Sequence, residues 1–96
     1  MSELQPIIDI IQIVREKITD ETDVIWAGYD NPTELQDEID KELNELKSGN
    51  LEMLDKFKNR FLPTATFQEI SLSNGWGDEF IKLSDRFDKL YKRVRK

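Results

Sequence analysis

The sequence contains no cysteine and no histidine. Without cysteine there are no disulfides, no thiolate nucleophile and no thiolate metal ligand. Without histidine there is no Ser-His or Cys-His dyad, no imidazole base and no zinc site of the usual Cys/His kind. Any catalysis would have to run on carboxylates, lysine, tyrosine or a carboxylate-held ion such as Mg²⁺. Long apolar runs are missing too. Nothing approaches the ~20 residues needed to cross a bilayer, and the cluster from Ile7 to Ile18 is interrupted by Asp9, Gln12, Arg15, Glu16 and Lys17. That cluster also lacks the basic leader and small-residue cleavage site of a secretory signal, so the cytoplasm is the expected compartment. No Gly-rich phosphate loop, Walker lysine, calcium loop or nucleophile elbow is present. The nearest approach to a cation loop, Asp20-Glu21-Thr22-Asp23, lacks the glycine and the closing glutamate. No cofactor, no metal and no enzymatic activity are therefore expected.

Glycine and proline are scarce, at four and three residues, and their positions divide the chain. Pro6, Gly28, Pro32, Gly49, Pro63, Gly75 and Gly77 fall where helices begin or end. With 96 residues, of which 28 are Ile, Leu, Val or Phe, the chain has the length and apolar content of one folded domain spanning 1–96.

Periodicity between those markers predicts helices. Ile7, Ile11, Val14 and Ile18 form a stripe over about Glu3 to Thr19, broadened by Ile8, Ile10 and Ile13, as in a central helix. Residues 20–31 are irregular, with Val24, Ile25 and Trp26 as a short extended piece. A second helix has Asn31 as cap, Pro32 at its first position, an apolar stripe of Leu35, Ile39, Leu43 and Leu46, and Gly49 as its stop. A third runs from the cap Asn50 to about Leu62 with Leu51, Leu54, Phe57 and Phe61 inward, antiparallel to the second because the link is short. Thr66 to Glu69 matches a capping box and suggests a short helix through Ser73. The alternation Phe67, Ile70, Leu72 also suits a strand with a turn at Asn74-Gly75, but no partner strand is apparent. A last helix from about Asp78 carries Phe80, Leu83, Phe87, Leu90, Tyr91 and Val94 in a heptad-like stripe. The expected fold is all-α, a small bundle of four main helices with an extra short helix or turn before the last.

Charge is unevenly placed. Residues 1–55 hold four basic and fifteen acidic side chains, whereas 56–96 hold ten and five, for a net −6. One reading has Lys89, Lys92, Arg93, Arg95 and Lys96 touching nucleic-acid phosphates. Overall acidity opposes it. The alternative is that these cations complement the helix dipole and pair with the acidic second helix of the same molecule.

The pairs Glu42-x-x-Glu45 and Asp85-x-x-Asp88 resemble the acidic motifs by which all-α nucleotide pyrophosphohydrolases hold Mg²⁺. The resemblance implies a Mg²⁺-dependent nucleotide hydrolase, and helical geometry tests it. At about 100° per residue, Glu42 lies roughly 55° from its helix's apolar centre and borders a cleft. Asp85, about 170° from the last helix's stripe, and Asp88, about 110°, point away from one.

The leading expectation is a small acidic protein-binding domain, an inhibitor, immunity-type or adaptor protein. Its candidate contacts are the charged face Asp37, Glu38, Glu42 and Glu45, with Trp26, Tyr29 and Trp76 as aromatic anchors. Against the anchor role, two tryptophans in glycine-rich loops would also serve to plug the ends of a small core. The partner expected is another protein, basic in character, with neither membrane nor nucleic acid. The heptad-like last helix also allows a homodimer.

Overall fold

The computed structural model describes residues 4–62 and 65–94, and of Trp26 the backbone alone. The start at Glu3, the stop at Pro63, the side chain of Trp26 and the cations Arg95 and Lys96 lie outside the described residues. Among the described residues all regular secondary structure is helical: α1 Leu4–Lys17, a 3₁₀ turn Ile25–Ala27, α2 Pro32–Lys47, α3 Glu52–Arg60, α4 Thr66–Ser73 and α5 Gly77–Val94. No helix among them is long and apolar enough to cross a membrane.

Helix α1 is the axis of the bundle. Ile7, Ile8, Ile10, Ile11 and Val14 are all buried, with Ile18 just past its end. Ile13 is the exception to the broad stripe and sits at the surface. α1 packs against α2 and α5, and α3 packs against the same two. That leaves α2 and α5 at opposite corners. Arg15 reaches Asp40 while Gln36 donates to the carbonyl of Ile18 at 2.9 Å, so α1 and α2 run antiparallel.

The ends of α2 follow local chemistry. The Asn31 side chain accepts from the Glu34 N–H at 3.0 Å, and Pro32 begins the helix without a donor to satisfy. At the other end Gly49 adopts φ +101°, so that the Gly49 and Asn50 N–H groups reach back to the carbonyls of Leu46 and Glu45. Asn50 then turns the chain into α3 by accepting from the Glu52 N–H. α3 therefore begins later than its cap suggests, and Leu51 lies in the turn, partly exposed rather than inward.

Helix α4 settles the strand-or-helix question at 66–73. Its N-cap is Ala65, and among the described residues no side chain caps it, so the capping-box reading with Thr66 as cap is corrected. The extended piece at Val24 to Trp26 is corrected as well. Val24 is buried, and the chain winds into the 3₁₀ turn, packed beside α4. Asn74 ties the two together. It accepts from the Asp23 N–H at 2.9 Å and donates to the carbonyls of Asp23 and Ile70 at 3.0 and 2.8 Å. One amide thus pairs with a loop as a strand neighbour would. Asn74→Ala should cost about 1–2 kcal/mol and speed hydrogen exchange at the Asp23 amide, leaving α2 protected.

The core closes on aromatics. The Phe61 ring lies 4.3 Å from Phe87 and 5.9 Å from Phe80, both stacked, and 5.0 Å from Phe67 edge-on. α5 spends its stripe here: Phe80, Leu83 and Phe87 are buried, and Leu90, Tyr91 and Val94 pack on the core. A homodimer through that stripe would compete with the chain's own core.

Candidate protein-docking face

The acidic face proposed on α2 divides into neutralised and unneutralised carboxylates. Glu42 points inward and is buried. Arg60, the last residue of α3, grips it with two parallel bonds, Nε to Oε1 at 3.2 Å and Nη2 to Oε2 at 2.9 Å. The same guanidinium donates to Glu38 at 2.9 Å and to the Tyr29 hydroxyl at 3.0 Å, and that hydroxyl donates to Glu38. Four residues from the first loop, α2 and α3 form one network. The antiparallel pairing of α2 with α3 brings them together.

Burial works against the charge on Arg60, yet the hydrogen bonds to Glu42 and Tyr29 and the charge of Glu42 outweigh it. Its pKa rises above the ordinary value. The guanidinium is a fixed positive centre. Burial also pushes the Tyr29 hydroxyl upward; the hydrogen bond and charge of Arg60 oppose this, and Glu38 reinforces it. A raised tyrosine pKa favours the neutral form in the fold. Its contribution to stability is therefore complete below the ordinary value near 10 and is lost as pH climbs through the higher one. Tyr29→Phe should cost about 1 kcal/mol near neutrality. In denaturant melts, the gap between the two proteins should narrow above pH 10.

Asp40 is neutralised too, by a bidentate bond from Arg15 at 2.8 and 3.1 Å. Glu45 is half-buried and accepts from the Asn50 side chain. Asp37 is exposed and has no cation within ion-pairing distance among the described residues. Glu34, Asp30, Asp20 and Glu21 share that condition. The register that sets Gln36 beside Ile18 brings the loop acids Asp20 and Glu21 next to this end of α2.

Of the aromatic anchors, Tyr29 is half-buried and committed to Arg60 and Glu38. Trp76 is half-buried against the core, edge-on to Phe80 at 6.4 Å, with its indole N–H buried and, among the described residues, without a hydrogen-bond partner. Gly75, at φ +84°, lets the Trp76 N–H close α4 on the carbonyl of Ser71, which sets where the ring enters.

The carboxylates of the magnesium-hydrolase resemblance do not converge. Glu42 is taken by Arg60, Asp88 by Lys58 at 2.6 Å, and Asp85 by Lys89 one turn away on the exposed face of α5. Among the described residues no three acidic side chains gather where a metal ion could be held.

Arg60 is the residue that sequence reasoning missed. A signal existed: Arg60 is three residues from Phe57 and borders the α3 stripe, as Glu42 borders that of α2. Opposite charges bordering facing stripes of an antiparallel hairpin are placed to meet. The expectation that the cations at the end of α5 pair with α2 is not met by Lys89, Lys92 and Arg93, none of which reaches an α2 carboxylate among the described residues; α5 engages α1 and α3 through its own acids instead, Glu79 with Lys17 and Asp88 with Lys58, and Arg95 and Lys96 lie outside the described residues. Lys89, Lys92 and Arg93 are exposed.

Compared with protein families, curated proteins and solved structures, the chain finds no match in any of the three.

Proposed function

We propose that this chain is a small protein-binding domain whose α2 face docks a basic partner protein. The observation that carries the reading is the contrast along α2. Arg60 pairs with Glu38 and Glu42 and Arg15 with Asp40, while Glu34 and Asp37 project from the same helix with no counter-ion among the described residues, beside Asp30, Asp20 and Glu21. Carboxylates held on a rigid helix with no internal use supply long-range attraction and orientation to a cationic surface. Arg60 and Tyr29 fix the helix that presents them. Glu42 belongs to that scaffold and Glu38 to its edge, so the contacting charges are Asp37 and its exposed neighbours.

The test is affinity capture from the source cell after nuclease treatment, comparing wild type with Glu34→Lys/Asp37→Lys and with Lys82→Glu/Arg86→Glu. A stoichiometric basic protein lost only with the α2 variant supports the reading. A partner retained equally by all three removes it.

A further inference from the structure

The outer face of α5 carries Lys82, Arg86, Lys89 and Arg93, all exposed and spaced by four, three and four residues. At about 100° and 1.5 Å per residue, they stand within roughly 60° of one another in a row about 16 Å long. Among the described residues only Lys89 has a carboxylate at ion-pairing distance, Asp85, itself exposed. α2 repeats that spacing with the opposite sign in Glu34, Glu38, Lys41 and Glu45, with Asp37 alongside. Each row has one exception, Lys41 within the acidic row and Asp85 beside the basic one.

The exceptions choose an orientation. Laid antiparallel, Glu34 meets Arg93, Glu38 meets Lys89 and Glu45 meets Lys82, while Lys41 falls level with Arg86 and one residue from Asp85. Laid parallel, Asp37 falls on Asp85 and Lys41 on Lys89. Lys41 meets a cation in either alignment, Arg86 or Lys89, but the antiparallel one avoids setting Asp37 on Asp85 and also opposes the helix dipoles. Within one molecule the rows cannot meet, because α1 and α3 hold α2 and α5 at opposite corners with their outer faces turned apart. Between molecules they can. The two surfaces differ and lie on opposite sides, so the contact is heterologous and a pair leaves one free surface of each kind.

We propose that copies of this chain associate head to tail, the basic row of α5 on one copy seated antiparallel on the acidic row of α2 on the next. This rests on the reading of α2 as a docking face and names an occupant for it. The net charge of −6 opposes a phosphate backbone and a second copy alike, but only the second copy brings cations of its own to offset it, so the phosphate backbone is the lesser fit to the α5 row. The α5 row is exposed, the α2 row is exposed but for the half-buried Glu45, and neither holds an apolar centre, so the association is weak and governed by salt.

Sedimentation of the full chain decides it, at about 10 mM salt, where the Debye length is about 30 Å, and at about 1 M, where it is about 3 Å. At low salt the weight-average mass should climb with concentration beyond twice the 11.3 kDa monomer, and at high salt it should return to the monomer. Lys82→Glu/Arg86→Glu and Glu34→Lys/Asp37→Lys should each be monomeric alone and form a one-to-one pair when mixed, with nothing larger. Circular dichroism melts establish that both variants fold. A wild-type monomer at every low-salt concentration, a mass that stops at two copies, or a mixture that stays monomeric would each overturn the proposal. So would retention on a phosphate polymer that depends on Lys82 and Arg86 in a chain that does not self-associate. If self-association fails while α2-dependent capture of a partner persists, this inference alone falls and the docking reading stands.

Discussion

Phe61→Ala should destabilise the protein by about 3–5 kcal/mol, the range for deleting a buried phenyl ring. The ring sits where three elements meet, in contact with Phe67 of α4 and Phe80 and Phe87 of α5. It is also the C-cap of α3, its N–H returning to the carbonyls of Phe57 and Lys58. A chain of 96 residues is held by roughly 5–14 kcal/mol at 0.05–0.15 kcal/mol per residue, so this one deletion removes a large share. The urea midpoint should fall by at least about a fifth. Phe61→Leu, which keeps most of the volume, should lose less than half as much. A shift under ~1 kcal/mol for the alanine variant would contradict the placement of Phe61 at the junction.

Arg60→Ala should cost about 3–5 kcal/mol, for a different reason. The substitution leaves the Glu42 carboxylate buried without its cation, and an uncompensated buried charge is costlier than the pair was beneficial. The bond to Glu38 adds little, because that side chain is 49% exposed and its charge is screened. Glu42 therefore decides the outcome. Glu42→Leu combined with Arg60→Ala should recover at least half the loss, since no buried charge remains. Additive losses measured by denaturant melts in the double variant would show that Arg60 acts through packing alone.

Residues with a strong local preference were legible in the sequence. Asn31, Pro32 and Gly49 mark the ends of α2 because capping, a missing donor and a left-handed φ are properties of single residues. The stripe of α5 was legible because a surface helix has one face to bury. What depended on partners distant in sequence was not. Val24 and Ile25 suit a strand by composition, but among the described residues there is no strand for them to join, and Asn74, some fifty residues on, satisfies Asp23 instead. Thr66 fits a capping box, yet the helix begins from Ala65. Among the candidate contacts, Asp37 lies where an accessible charge should. Glu42, from the same charge pattern, is internal because Arg60 faces it across the α2–α3 hairpin. Charge counted along a helix does not distinguish a carboxylate facing solvent from one facing a buried guanidinium.

The measurement closest to the central claim is the association rate of the captured basic partner with this chain as ionic strength is raised. If the exposed acids of α2 guide docking, the rate for the wild-type protein should fall at least tenfold between about 20 and 300 mM salt. Glu34→Lys/Asp37→Lys should associate slowly at low salt and show little further dependence, while its melting curve stays that of a folded bundle. A rate indifferent both to salt and to the reversal of Glu34 and Asp37 would contradict the account.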